Sequence, residues 1–179
     1  MHRTRFALAL ALLVVPVAGA AQPTQPQALT LGGFSFEQSI TVPGTPAEVF
    51  DGFTGDVLPW WDHHFQENPL RLYIEPRVGG CFCEVFDSAG NGARHAVVTY
   101  AERGRLLRFE GPLGLTGYAF SMVHTFEFTQ RGDSTQLTLK LRGAGEMQEN
   151  WPQVVGRVWR HFLVERFKPW WERTRGRRS

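Results

Sequence analysis

From Trp151 to Arg173 the apolar residues Trp151, Val154, Val155, Val158, Trp159, Phe162, Leu163, Phe167, Trp170 and Trp171 recur at helical spacing. Asn150 stands where a cap belongs and Pro152 falls in the first turn, where proline is tolerated. A helix of this length is about 35 Å long at 1.5 Å per residue. Its tryptophan-rich stripe requires an apolar surface to cover it, and the rest of the chain supplies one in strands.

The first strand reads from Phe34 to Val42 by alternation. Thr45-Pro46-Ala47-Glu48 is a capping box with proline at the first helical position, opening a short helix that carries Val49, Phe50 and Phe53. A second short helical turn ends at Trp60-Trp61. Strand-like segments then run over 70–75, 81–87, 94–101, 106–111, 118–130 and 135–142, joined by "PRVGG", "SAGNG", "ERG", "PLGLTG" and "RGDS". Such short connections imply an antiparallel meander. The expected architecture is α+β: a curved antiparallel sheet of about seven strands wrapped round the long C-terminal helix, with two short helices after the first strand.

The amino terminus carries Arg3 and Arg5, an apolar run from Phe6 to Val17 and the small residues Ala18-Gly19-Ala20-Ala21, the pattern of a secretory signal peptide. The run falls short of the ~20 residues needed to cross a bilayer, so no integral membrane segment is expected after cleavage. The expected organisation is a signal peptide over 1–21, a Pro- and Gln-rich linker over 22–33, one domain over 34–173 and a basic tail over 174–179. The expected location is periplasmic or secreted.

Cleavage after Ala20 removes two of the 19 basic residues and none of the 17 acidic ones, leaving a formally neutral chain. A neutral domain without a basic stripe argues against nucleic acid as a partner. The tail "RTRGRRS" reads either as a solvated terminus or as a weak contact for anionic surfaces. Cys81 and Cys83, the only cysteines, stand two apart on one strand. Side chains so placed are ~6.6 Å apart, too far for a disulfide unless a bulge intervenes.

On the strand 118–130, Tyr118, Phe120, Met122, His124, Phe126 and Phe128 share one face. Leu107, Phe109, Leu137, Leu139, Leu141, Phe82, Glu84 and Phe86 are expected beside them. Large aromatic rings and Met122 mixed with two ionisable groups, Glu84 and His124, have the composition of a small-molecule pocket. An ordinary core with a neutral, hydrogen-bonded His124 is the simpler alternative.

The segments "TPAEVFDGFT", Trp60-Trp61 with His63-His64, "IEPRVGG" and "GRLLRFEG", followed by the aromatic C-terminal helix, together resemble the START-like, polyketide-cyclase-like superfamily (SRPBCC), in the branch named after activators of a heat-shock-protein ATPase. The resemblance covers about Phe34 to Arg173. It implies a helix-grip fold with a deep apolar cavity between sheet and helix. Members bind lipids, hydrophobic metabolites or partner proteins, and some are cyclases or related enzymes. Two features depart from the pattern: Cys81 and Cys83 follow Gly80, and an export signal is unusual for a mainly cytoplasmic branch. The chain has no Gly-x-x-x-x-Gly-Lys-Ser/Thr sequence, so nothing supports an ATPase activity of its own.

"PWWDHHF" (Pro59 to Phe65) invites a metal or catalytic reading. Adjacent His63 and His64 diverge in most backbone conformations, and the ligand pattern matches no usual metal spacing, so no metal and no cofactor is assigned. In the resemblance the tryptophan pair closes against the long helix, making this segment the lip of the pocket with Asp62, His63 and His64 as its polar rim. The expected function is binding of a hydrophobic or amphipathic small molecule or lipid. The expected contacts are Trp60, Trp61, His63, His64, Phe82, Glu84, Phe109, Phe120, Met122, His124, Phe126 and Trp159. The alternatives are a cyclase, dehydratase or hydrolase using Glu84 and His124 as acid and base, and a protein-interaction module using the outer face around Cys81, Cys83 and Val85.

Overall fold

The computed structural model describes residues 28–175. The signal peptide, residues 22–27 of the linker and residues 176–179 of the tail lie outside the described residues.

The elements follow the order β1 (Leu31–Pro43), α1 (Pro46–Phe53), β2 (Gly55–Asp56), β3 (Arg71–Ile74), β4 (Cys81–Val85), β5 (Gly92–Glu102), β6 (Leu106–Gly111), β7 (Phe120–Arg131) and β8 (Ser134–Glu146). The long C-terminal helix then begins as α2 (Trp151–Arg160), continues as a π-helical segment (His161–Phe167) and ends as α3 (Lys168–Arg175). The eight strands form one antiparallel sheet in the order β1-β8-β7-β6-β5-β4-β3-β2. Only the β1–β8 pairing joins strands distant in sequence, and it runs the full length of β1, from Leu31 opposite Glu146 to Pro43 opposite Ser134.

The sheet thus has eight strands where about seven were expected; the addition is the two-residue β2. β1 begins at Leu31, so the last three residues of the expected linker belong to the sheet. The second short helical element is a single turn, in which the Trp60 and Trp61 amides donate to the Val57 carbonyl at 3.1 and 2.9 Å.

Helix α1 starts as its capping box predicts: the Glu48 amide donates to Thr45 Oγ1 at 3.3 Å and the Thr45 amide donates to Glu48 Oε2 at 2.8 Å. α2 differs, since Asn150 makes no side-chain capping bond. β7 and β8 alternate buried and exposed positions, and their inner residues Phe120, Met122, His124, Phe126, Phe128, Leu137, Leu139 and Leu141 are all buried. Tyr118 precedes β7 and is 44% exposed, so it is not part of that inner face. The long helix buries Trp151, Trp159, Phe162, Leu163, Phe167 and Trp171 against this layer. Side chains of this size contribute roughly 1.5–3 kcal/mol each on burial, so the sheet–helix layer dominates the stability of the domain.

Two register shifts bend the sheet. Phe82 pairs with Ala96 and Cys83 with Arg94, so His95 is the extra residue of β5 at that point. A second shift lies between Val98 and Tyr100, opposite β6. At the first shift Cys81 and Cys83 form a disulfide, their Cα atoms 5.3 Å apart. The Cα separation is shorter than the ~6.6 Å of a regular strand, and the bond leaves neither cysteine as a free thiol.

Candidate functional site

The bulge at His95 builds the first part of the site. The extra residue turns the imidazole inward, so that His95 and Ala96 are consecutive buried residues. His95 Nε2 lies 3.0 Å from Glu84 Oε2. The same carboxylate accepts from the Phe65 amide at 2.9 and 3.0 Å and from the Gln66 amide at 2.9 Å. Burial holds His95 below the ordinary histidine range, against the opposing pull of Glu84. The imidazole is therefore neutral, and the tautomer that satisfies Glu84 carries its proton on Nε2. The Phe65 ring stacks on it, with centroids 5.1 Å apart. Glu84 is thus an anchor that ties the segment after Trp61 to the sheet. Its hydrogen-bond partner is His95 and not His124.

His124 sits alone in the middle of the layer. It is fully buried, between the rings of Phe109 at 4.8 Å and Trp159 at 5.3 Å. Neither ring nitrogen has a well-formed hydrogen bond. Desolvation pushes its pKa down to about 3, while the Phe109 backbone pulls weakly the other way. Trp60 Nε1 is likewise buried without a partner. Unpaired buried polar atoms cost about 1–3 kcal/mol each.

The remaining expected wall residues converge here. Phe82, Phe109, Phe126 and Trp159 are essentially inaccessible, and Phe109 packs on Phe82 at 5.6 Å and on Phe126 at 5.4 Å. Phe120 packs against Trp151 at the far end of the layer, at 5.1 Å. These rings meet one another, and three surface clefts lie elsewhere. The first, of about 490 Å³, opens between α1 and α3 and is lined by Glu48, Asp51, Asp56, Trp170 and Arg175 among others. The second crosses the outer sheet face at Arg108, Glu127 and Lys140. The third lies beside Gly55, Tyr73 and Arg77.

The segment 60–65 joins helix to sheet through aromatic contacts and carries a charged cluster. Trp61 stacks on Phe162 with centroids 3.8 Å apart and meets Phe82 edge-on at 5.0 Å, joining helix to sheet. Its indole Nε1 donates to the His63 carbonyl at 2.7 Å, fixing the turn that presents Asp62 and His63. Asp62 Oδ1 lies 2.9 Å from His63 Nδ1 and 3.0 Å from His161 Nε2, the latter carried by the first residue of the π-helical segment. His161 Nδ1 is 3.0 Å from Glu165 Oε2. Arg166 Nε lies 3.1 Å from Asp62 Oδ2. Partial burial opposes ionisation of Asp62, but hydrogen bonds from His161 and His63 hold its carboxyl below the usual range. The bond to Glu165, followed by that to Asp62, raises His161 above the ordinary histidine value. His64 points away from this cluster, its Nδ1 3.0 Å from the Gln66 carbonyl.

Sequence reasoning placed Asp62 and His63 on a rim but omitted His161, Glu165 and Arg166, because the contact spans 99 positions of chain. It also omitted His95, because strict alternation from Val98 through Ala96 places residue 95 on the outer face.

No protein-family model matches this sequence, and no curated protein does. The fold recurs among solved structures. The chain is similar to the Mll3558 protein from Rhizobium loti, with 22% identity over 75% of this chain and 94% of that one and a TM-score of 0.57. It is similar to an uncharacterised protein from Rhizobium leguminosarum, with 14% identity over 82% and 99% and a TM-score of 0.55. Protein NE0264 from Nitrosomonas europaea gives 14% identity over 81% and 96%, also with a TM-score of 0.55. At these identities the likeness establishes the shared fold alone.

Proposed function

We propose that the protein binds a hydrophobic or amphipathic small molecule between the inner face of its sheet and the long helix, as members of the START-like, polyketide-cyclase-like superfamily do. The single observation that carries this reading is His124, a fully buried imidazole in an otherwise apolar layer, with no well-formed hydrogen bond at either nitrogen and only a weak pull from the Phe109 backbone. A core selected only for packing would place a ring without polar atoms there. A guest carrying one hydroxyl, carbonyl or carboxyl group would remove the cost of the unpaired nitrogens and gain about 25 cal/mol per Å² of apolar area withdrawn from water.

The rings that now touch have to part to admit such a guest. The helix that would yield is the one whose hydrogen-bond ladder changes pitch over His161–Phe167, an interruption frequent at functional sites. The amino-terminal pattern of a positive start, an apolar run and small residues supports a periplasmic or secreted setting for this binding.

Native mass spectrometry on the protein exported by a bacterial host tests the reading. An organic adduct of a few hundred daltons is expected, with at least about tenfold weaker binding in His124→Leu at unchanged far-UV circular dichroism. A bare mass, together with no thermal shift on adding long-chain fatty acids or polycyclic aromatic acids, would overturn it.

A further inference from the structure

The cluster at the lip has a geometry that the ligand reading does not use. One carboxylate oxygen and one nitrogen from each of two imidazoles, belonging to Asp62, His63 and His161, lie within 4.8 Å of one another. We propose that these three residues bind a first-row divalent cation, with zinc the best match to two imidazoles and one carboxylate. The proposal does not depend on the occupant of the sheet–helix layer.

Asp62 Oδ1 lies 2.9 Å from His63 Nδ1 and 3.0 Å from His161 Nε2, which straddles the carboxylate and also lies 2.9 Å from Oδ2. Ligand atoms around tetrahedral zinc, with bonds of about 2.0–2.1 Å, stand about 3.4 Å apart. The two short contacts would open by about 0.4–0.5 Å to reach that spacing, and the two imidazole nitrogens, already within 4.8 Å of each other, would adjust by side-chain rotation at a partly exposed rim. Three protein ligands leave a fourth position facing solvent, the arrangement of sites that hold a reactive water.

The surroundings supply an independent observation. His161 presents its other nitrogen to Glu165 at 3.0 Å, the carboxylate–histidine pairing that fixes tautomer and ring orientation in metal sites. The backbone of His63 is held by the Trp61 indole at 2.7 Å. Arg166 approaches the other oxygen of Asp62, at 3.1 Å, so it can orient the carboxylate while Oδ1 meets the ion. A cation bound through Oδ1 would share Asp62 with the guanidinium.

The test is calorimetric titration of the chain, prepared without an affinity tag, with zinc chloride in a non-chelating buffer. Cobalt(II) absorption serves as a second readout. One equivalent is expected to bind, and cobalt should give the intense visible bands of a four- or five-coordinate site. His63→Ala and His161→Ala should each weaken binding at least about tenfold, and Glu165→Gln should weaken it by about tenfold. His64→Ala, altering a ring turned toward the Gln66 carbonyl, should leave binding unchanged. Absence of saturable one-to-one binding by the wild-type chain would overturn the site, as would affinity unaltered in the His63→Ala/His161→Ala double variant with its melting temperature preserved.

Discussion

Glu84 and His95 form a buried pair at 3.0 Å, made possible by the one residue by which β5 exceeds β4 at the bulge. The amides of Phe65 and Gln66 share the same carboxylate. Glu84→Ala leaves three donors unpaired at once and should cost about 3–5 kcal/mol, measured by urea denaturation. Amide exchange at Phe65 and Gln66 should accelerate in the folded protein. Glu84→Gln keeps one acceptor and should cost less, about 1–2 kcal/mol. Equal stability of the alanine variant and wild type would mean that the carboxylate does not anchor the segment.

The cysteines pair on β4, beside the same bulge. A disulfide closing a loop of only three residues removes little freedom from the unfolded chain, about 1.5 kcal/mol in the loop-entropy account. Cys81→Ser/Cys83→Ser should therefore lower stability by no more than that. Protein unfolded without reductant should show no free thiol, and non-reducing electrophoresis should show no linked dimer. Two titratable thiols in that experiment would refute the pairing.

Much of the fold was legible because period alone carries it. The alternation of Phe120, Met122, His124, Phe126 and Phe128 fixes which face of β7 is buried, and Thr45 with Glu48 fixes where α1 begins. What escaped are places where the period breaks. His95 was invisible because one extra residue reverses the side to which alternation assigns it. The π-helical segment left no mark: the buried Trp159, Leu163, Phe167 and Trp171 stand four apart, as in an ordinary helix. His161 could not be joined to Asp62, since no local pattern says which turn of a long helix will meet a loop 99 residues away.

Gly52 lies beneath Trp171. A Cβ built on Gly52 would collide with the six-membered part of the Trp171 indole, whose Nε1 donates to the Pro43 carbonyl at 2.8 Å. Alanine would ordinarily gain about 1 kcal/mol inside a helix. Here the overpacking term of about 1–3 kcal/mol should win, so Gly52→Ala should melt at lower temperature than wild type and shift the tryptophan emission. A more stable variant would show that α3 docks more loosely on α1 than the structure indicates.

His124 makes the acid stability of the fold depend on one ring. Its pKa falls from 6.5 in the unfolded chain to about 3 in the folded protein, because burial penalises the imidazolium. A lowered pKa means that the folded state excludes a proton the unfolded chain accepts. The contribution is therefore absent above the unfolded value and becomes destabilising as pH falls below it, growing until the folded group itself titrates. Each pH unit in that window is worth 1.36 kcal/mol, so by about pH 5 the deficit is on the order of 2 kcal/mol. His95, also held low by burial, adds in the same direction. His124→Leu has nearly the same volume and nothing to protonate. The stability of the leucine variant relative to wild type should thus rise steadily from neutral pH to about pH 4, with carboxylate effects common to both cancelling in the difference. Urea midpoints measured in parallel across that range decide the matter: a difference constant with pH would place His124 in contact with water or with a partner that accepts its charge.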